Sequence, residues 1–153
     1  MNKFLNLLFI ILFYSCGTDN TTNPSSTNYY SDDQQFLDEL IELNDITEDD
    51  LDDRITKVEV DSGSVSYYRV EKLYLGNMGL DSIPPSIAEL ENLNVLILTD
   101  NNLHFLTEFI CDIYNGLDSL EVSNNDICTP NVPDCIMNSM TISVFYENQQ
   151  CDE

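Results

Sequence analysis

The sequence predicts an α/β protein. It is a short solenoid with a parallel β-sheet along its concave side, a helical amino-terminal cap and a disulfide-closed carboxyl-terminal cap. Three observations predict it. Segments beginning at Val70, Leu93 and Leu117 read VEKLYLGNMGL, LNVLILTDNNL and LDSLEVSNNDI, one eleven-residue pattern at steps of 23 and 24 residues. A stretch before them carries apolar residues at helical spacing. An even set of four cysteines, Cys111, Cys128, Cys135 and Cys151, runs from the second unit to the end. Units this small cannot bury a core alone, so they must stack, and stacking makes an extended surface rather than a cleft.

The chain has 153 residues, with 28 acidic against 5 basic ones, a formal charge of −23. Such a field repels nucleic acid and anionic lipid head groups, which excludes both as direct ligands. Residues 1–16 read MNKFLNLLFIILFYSC: one lysine, then a mostly apolar run from Phe4 to Tyr14 that is too short to span a bilayer. The run ends at Ser15-Cys16-Gly17, which resembles a bacterial lipoprotein processing site, with residues 1–15 as the signal peptide. The resemblance implies that Cys16 is lipidated and becomes the first mature residue. The protein is then attached to the membrane through that lipid only, in the periplasm or at the cell surface. Residues 16–31 are the lipidated cysteine and a polar tether without apolar periodicity.

Residues 32–69 form the amino-terminal cap. Ser31 or Asp32 is expected to cap a helix whose stripe is Phe36, Leu37, Leu40, Ile41 and Leu43, lying against the open first turn of the stack. Ile46 to Arg54 is expected to be acidic loop. Ile55, Val58 and Val60 then suggest a strand, Asp61 to Ser64 a turn, and Val65 to Val70 a return strand.

Residues 70–127 hold three repeats. Positions one, four, six and eleven are apolar, and position nine is Asn101 and Asn125 in the second and third units but Met78 in the first. Strand alternation turns positions four and six inward and five and seven outward, so Leu73/Leu75, Leu96/Leu98 and Leu120/Val122 form ladders in the core. A chain that turns at position nine strands backbone groups, and an asparagine both donates to and accepts from them. Asn101 and Asn125 are therefore expected to form a ladder beneath the turns. Met78 leaves the first turn without its own asparagine. The returning segments align as well: Ile83 with Leu106, Ile87 with Ile110, Leu90 with Ile113, with Pro84-Pro85 permitting only a short helical turn.

This pattern, L-x-x-L-x-L-x-x-N-x-L, resembles the leucine-rich repeat. The whole arrangement, with its cysteine-bearing tail, is similar to exported bacterial leucine-rich repeat lipoproteins. The resemblance implies a non-enzymatic, monomeric protein- or peptide-binding module on the bacterial cell envelope; a structural spacer lipoprotein without a specific ligand is the alternative. Five or six strands give a face about 25 Å wide. On it the register places Lys72, Tyr74, Asn77, Ile97, Thr99, Asp100, Asp118, Glu121, Ser123 and Asn124 as the ligand-binding residues, with Tyr74 and an exposed Ile97 supplying apolar contact.

Residues 128–153 form the closing cap. Cys111 and Cys135 occupy position nineteen of successive units, about one strand spacing apart, within the reach of a disulfide. That favours Cys111–Cys135 and leaves Cys128–Cys151 for the tail, against free thiols or a zinc site, which the spacing C-x6-C-x15-C does not suit. Met140 to Tyr146 alternates as a last strand. No catalytic residues, cofactor or metal ligands are expected. His104 lacks a partnered nucleophile, and Glu48, Asp49, Asp50, Asp52 and Asp53 lack the spacing and central glycine of a calcium loop.

Overall fold

The computed structural model describes residues 28–128, 131–137, 143–145 and 149–151. The expected signal peptide, Cys16 and most of the tether lie outside the described residues.

Helix α1 spans Ser31–Asn44 and buries Phe36, Leu37 and Leu40. Leu43, expected on the same stripe, is 51% exposed. Asn44, four residues after Leu40, takes the inward place instead. The helix begins at Ser31 with Tyr30 in the cap position and no side-chain cap bond, so neither Ser31 nor Asp32 acts as the cap. The expected loop after α1 contains one helical turn, α2 (Glu48–Leu51). Thr47 and Asp50 form a capping box there, with the Thr47 N–H and hydroxyl both donating to the Asp50 carboxylate, and Leu51 is buried.

Strand β1 (Ile55–Ser62) turns through Gly63-Ser64 into β2 (Val65–Tyr74), a longer hairpin than the sequence suggests. β2 runs without a break from the hairpin into the first repeat, so cap and repeat share one strand. β3 (Val95–Ile97), β4 (Ser119–Glu121) and β5 (Ser143–Phe145) follow, in the order β1-β2-β3-β4-β5. The β1–β2 pair is antiparallel and the others parallel, with Leu73, Leu96, Leu120 and Val144 in one register. β5 lies within the expected Met140–Tyr146 strand; residues 140–142 and 146 lie outside the described residues.

Leu73, Leu75, Leu96, Leu98, Leu120 and Val122 are fully buried, which is the inward half of the alternation. The returning segments close the other side of this core. The first forms a 3₁₀ turn over Pro85–Glu89, with the proline at its start where a missing N–H costs nothing. The second forms α3 (Ile110–Ile113) and a 3₁₀ turn over Tyr114–Gly116. Ile83, Ile87, Leu90, Leu106, Ile110 and Ile113 are all buried, and α1 packs on the first return. Beyond β4, α4 (Asp134–Met137) carries Cys135, which is bonded to Cys111 with Cα atoms 5.7 Å apart; Cys128 is bonded to Cys151 at 5.8 Å.

Candidate functional site: the outer face of the sheet

What fixes this face is a ladder of side-chain amides under the turns. Asn101 is buried. Its Oδ1 accepts from the N–H groups of Met78 and Leu80, and its Nδ2 donates to the Leu75 and Leu98 carbonyls, at 2.8–3.0 Å. Asn125 repeats this one unit later, accepting from Leu103 N–H and donating to the Leu98 and Val122 carbonyls. Each asparagine therefore serves the preceding turn as well as its own. That explains why Met78 is tolerated: the oxygen needed by the first turn comes from Asn101.

The ladder has two rungs that the pattern did not reveal. Gln149 donates to the Val122 carbonyl at 2.8 Å and accepts from Ile127 N–H at 3.0 Å, the bonds an asparagine of a following unit would make. It stands 24 residues after Asn125, which itself stands 24 after Asn101. That spacing was available as a signal and was masked by the change from asparagine to glutamine. At the other end Asn44 of α1 accepts from Asp81 and Ser82 N–H and donates to the Leu40 and Ser82 carbonyls.

Position eight of each unit, Asn77, Asp100 and Asn124, has a left-handed backbone with φ of 55°, 58° and 57°. Asn and Asp adopt that region at the least cost among residues with a side chain, which accounts for their place there. Asn124 Nδ2 donates to Asp100 Oδ1 at 2.9 Å, tying neighbouring turns. The backbone continues the pattern past the strands, with Leu75 N–H to Ile97 O and Leu98 N–H to Glu121 O.

On the outer face Tyr74, Ile97 and Glu121 stand in one row and Lys72, Val95 and Ser119 in the next. Tyr74 is 43% exposed, whereas Ile97, Thr99, Ser123, Glu121, Lys72 and Asn124 are half-buried; Asn77, Asp100 and Asp118 are exposed. The expectation of an exposed Ile97 is thus corrected: neighbouring strands shield its flanks. Gly76 follows Tyr74 at a close approach, since a Cβ there would stand 3.0 Å from Thr99 Oγ1. Arg54 holds the first row from the edge, donating to the Tyr74 and Gly76 carbonyls.

Beneath the face, the cap is joined to the stack by a buried ion pair. Arg69 Nε lies 2.9 Å from Asp33 Oδ1, and Asp33 Oδ2 accepts the Val70 N–H. Arg69 also donates to the Glu89 carbonyl and lies over the Tyr30 ring. Burial pushes the Asp33 carboxyl above its ordinary value, opposed by the Val70 N–H and by Arg69.

The remaining candidates stay apart from this face. His104 is exposed, with Nδ1 3.7 Å from Asp126. Glu48, Asp49, Asp52 and Asp53 lie exposed around α2, and Asp50 is held below the usual carboxylate range by the Thr47 hydroxyl and N–H. Among the described residues no group of three His, Cys, Asp or Glu side chains is placed to hold a metal ion, and no helix is long and apolar enough to cross a membrane.

No protein-family model and no curated protein matches the chain. Among solved structures it is similar to the crystal structure of the leucine-rich-repeat ectodomain of the receptor kinase SOBIR1 from Arabidopsis thaliana. The two share 14% identity over 82% of this chain and 97% of that one, with a TM-score of 0.47.

Proposed function

We propose that the chain is a non-enzymatic leucine-rich repeat module that binds a protein or peptide on the outer, concave face of its sheet. It works outside the cytoplasm, held to a bacterial envelope through a lipid on Cys16. The observation that carries the binding reading is the register: three strands from three repeats set Tyr74, Ile97 and Glu121 side by side, above a buried core and the asparagine ladder. A face already ordered loses little conformational freedom on binding. Tyrosine is among the residue types that most often dominate binding energy. Two disulfides support an oxidising compartment.

The ligand contacts are Lys72, Tyr74, Asn77, Ile97, Thr99, Asp100, Asp118, Glu121, Ser123 and Asn124. With five strands the interface falls near the lower end of stable ones, about 1,200 Å² in total, so many copies on a membrane supply avidity. Photo-crosslinking from position 74 in intact cells, followed by mass spectrometry, tests this reading. A saturable partner lost on Tyr74→Ala with Ile97→Ala supports it. Equal crosslinking by that double variant, with an unchanged melting temperature, overturns it. Metabolic labelling with an alkyne fatty acid tests the anchor, which fails if Cys16→Ser remains equally labelled and membrane-bound.

A further inference from the structure

On the opposite side of the core, a groove of about 690 Å³ lies between α1, the first return and the second return. Its apolar surface is Pro85, Ala88 and Phe109, the last 49% exposed. Its polar walls are Asp32, Glu39 and Glu89. Ser86 Oγ donates to Glu39 Oε2 at 2.5 Å and Gln35 Nε2 to Glu39 Oε1 at 2.8 Å, which fixes that carboxylate against the wall. Those two bonds also hold the Glu39 carboxyl below its ordinary value, so it is charged throughout the neutral range. Among the described residues no lysine or arginine lines the groove. Arg69, the cation that reaches the Glu89 carbonyl, has a side chain only 7% exposed and is already engaged by Asp33. From residue 73 to the end, the sequence has no lysine or arginine at all.

We propose that this groove is a second binding site, for a lysine-containing segment of a partner protein. An alkyl stem lies along Phe109 and Pro85 while the ammonium meets Glu39 and Glu89. A cation on an apolar stem suits both surfaces, because the stem covers the exposed ring and the charge answers carboxylates that meet no cation among the described residues. The groove is larger than one side chain and open to solvent, so it takes a short segment laid along its surface. This site is independent of the sheet face.

The test is a titration of the full oxidised chain with acetyl-Lys-Ala-Lys-Ala-Lys-amide, followed by fluorescence anisotropy, beside spermidine as a cation of equal charge. The double variant Phe109→Ser with Glu89→Gln should weaken peptide binding on the order of tenfold. Its matched control, Phe105→Ser with Glu48→Gln, removes an equally exposed ring and one charge outside the groove and should change binding by less than about twofold. Equal losses in the two variants overturn the site, as does spermidine binding as tightly as the peptide, because either result means bulk charge attracts the probe. Absence of peptide binding also overturns it. Melting temperatures of both variants should stay within a few degrees of the parent, since Phe105 and Phe109 are about half exposed.

Discussion

The two ends of the sheet are closed by opposite chemistry. At the amino-terminal end α1 docks through its apolar stripe and is fixed by polar side chains: Asp33 and Arg69 form a buried ion pair, and Asn44 bonds to the first return. At the carboxyl-terminal end two covalent bonds hold the tail, and Gln149 supplies the last described rung of the ladder. A stack of identical units has no natural end. Each closure must satisfy backbone groups that the next unit would otherwise satisfy. At both ends a side-chain amide satisfies those groups, Asn44 at one and Gln149 at the other, while attachment is secured by a buried ion pair at the first and by disulfides at the second, so the two ends should respond to different insults.

The largest effect is expected at the amino-terminal end. Asp33→Ala removes the acceptor of the Val70 N–H and leaves Arg69 with the Glu89 carbonyl and an exposed Glu91 carboxylate at 3.6 Å in place of its buried partner, and should destabilise by about 3–5 kcal/mol in urea unfolding. A loss below about 1 kcal/mol would mean that the cap does not depend on the pair. Next comes the other end. Cys128→Ser with Cys151→Ser opens a loop of 23 residues and should cost about 3 kcal/mol, read by the same unfolding curves under oxidising conditions. Dithiothreitol should destabilise the parent while leaving the Asp33–Arg69 contact in place, which separates the two closures directly. Gln149→Ala should cost less, about 1–3 kcal/mol, because it removes the amide that accepts from Ile127 N–H and donates to the Val122 carbonyl.

The smallest effects are those of pH, and they fall at the helical cap. The folded Glu39 carboxyl is held below its ordinary 4.5 by the Ser86 hydroxyl and then by Gln35. Its contribution is therefore present above that value and lost as pH falls through the folded one. Ser86→Ala should flatten this part of the acid limb of the stability curve, measured by thermal melts between pH 6 and pH 3. Asp33 runs the other way. Its folded value is raised, so its contribution is present below 3.8 and lost as pH rises through the folded value. Asp33→Asn should remove that opposing slope.

The strands, their register and the inward ladders were legible because they rest on alternation and repeat phase, which the sequence prints directly. The joining of Cys111 to Cys135 followed from the same phase. The ends were less legible for a physical reason: a cap is a one-off solution, with no second copy to align against. Gln149 performs an asparagine's task with one more methylene, and Asn44 sits beside Leu43, which the apolar spacing of the helix marks as the inward residue. The Thr47–Asp50 capping box made a helical turn out of a run that reads as solvated acid. Ile97 shows the limit on the sheet face: alternation says which way a side chain points, while the neighbouring strands decide how much of it water reaches.

The claim on which the sheet face depends is that side-chain amides, passed from one unit to the turn before it, hold the repeats in register. Amide hydrogen exchange resolved by residue measures this in Gln149→Ala beside Asn101→Ala. Gln149→Ala should lose protection at Ile127 while Leu80 stays protected, and Asn101→Ala should expose Leu80 first. Unchanged protection at Ile127 in the first variant and at Leu80 in the second would contradict it.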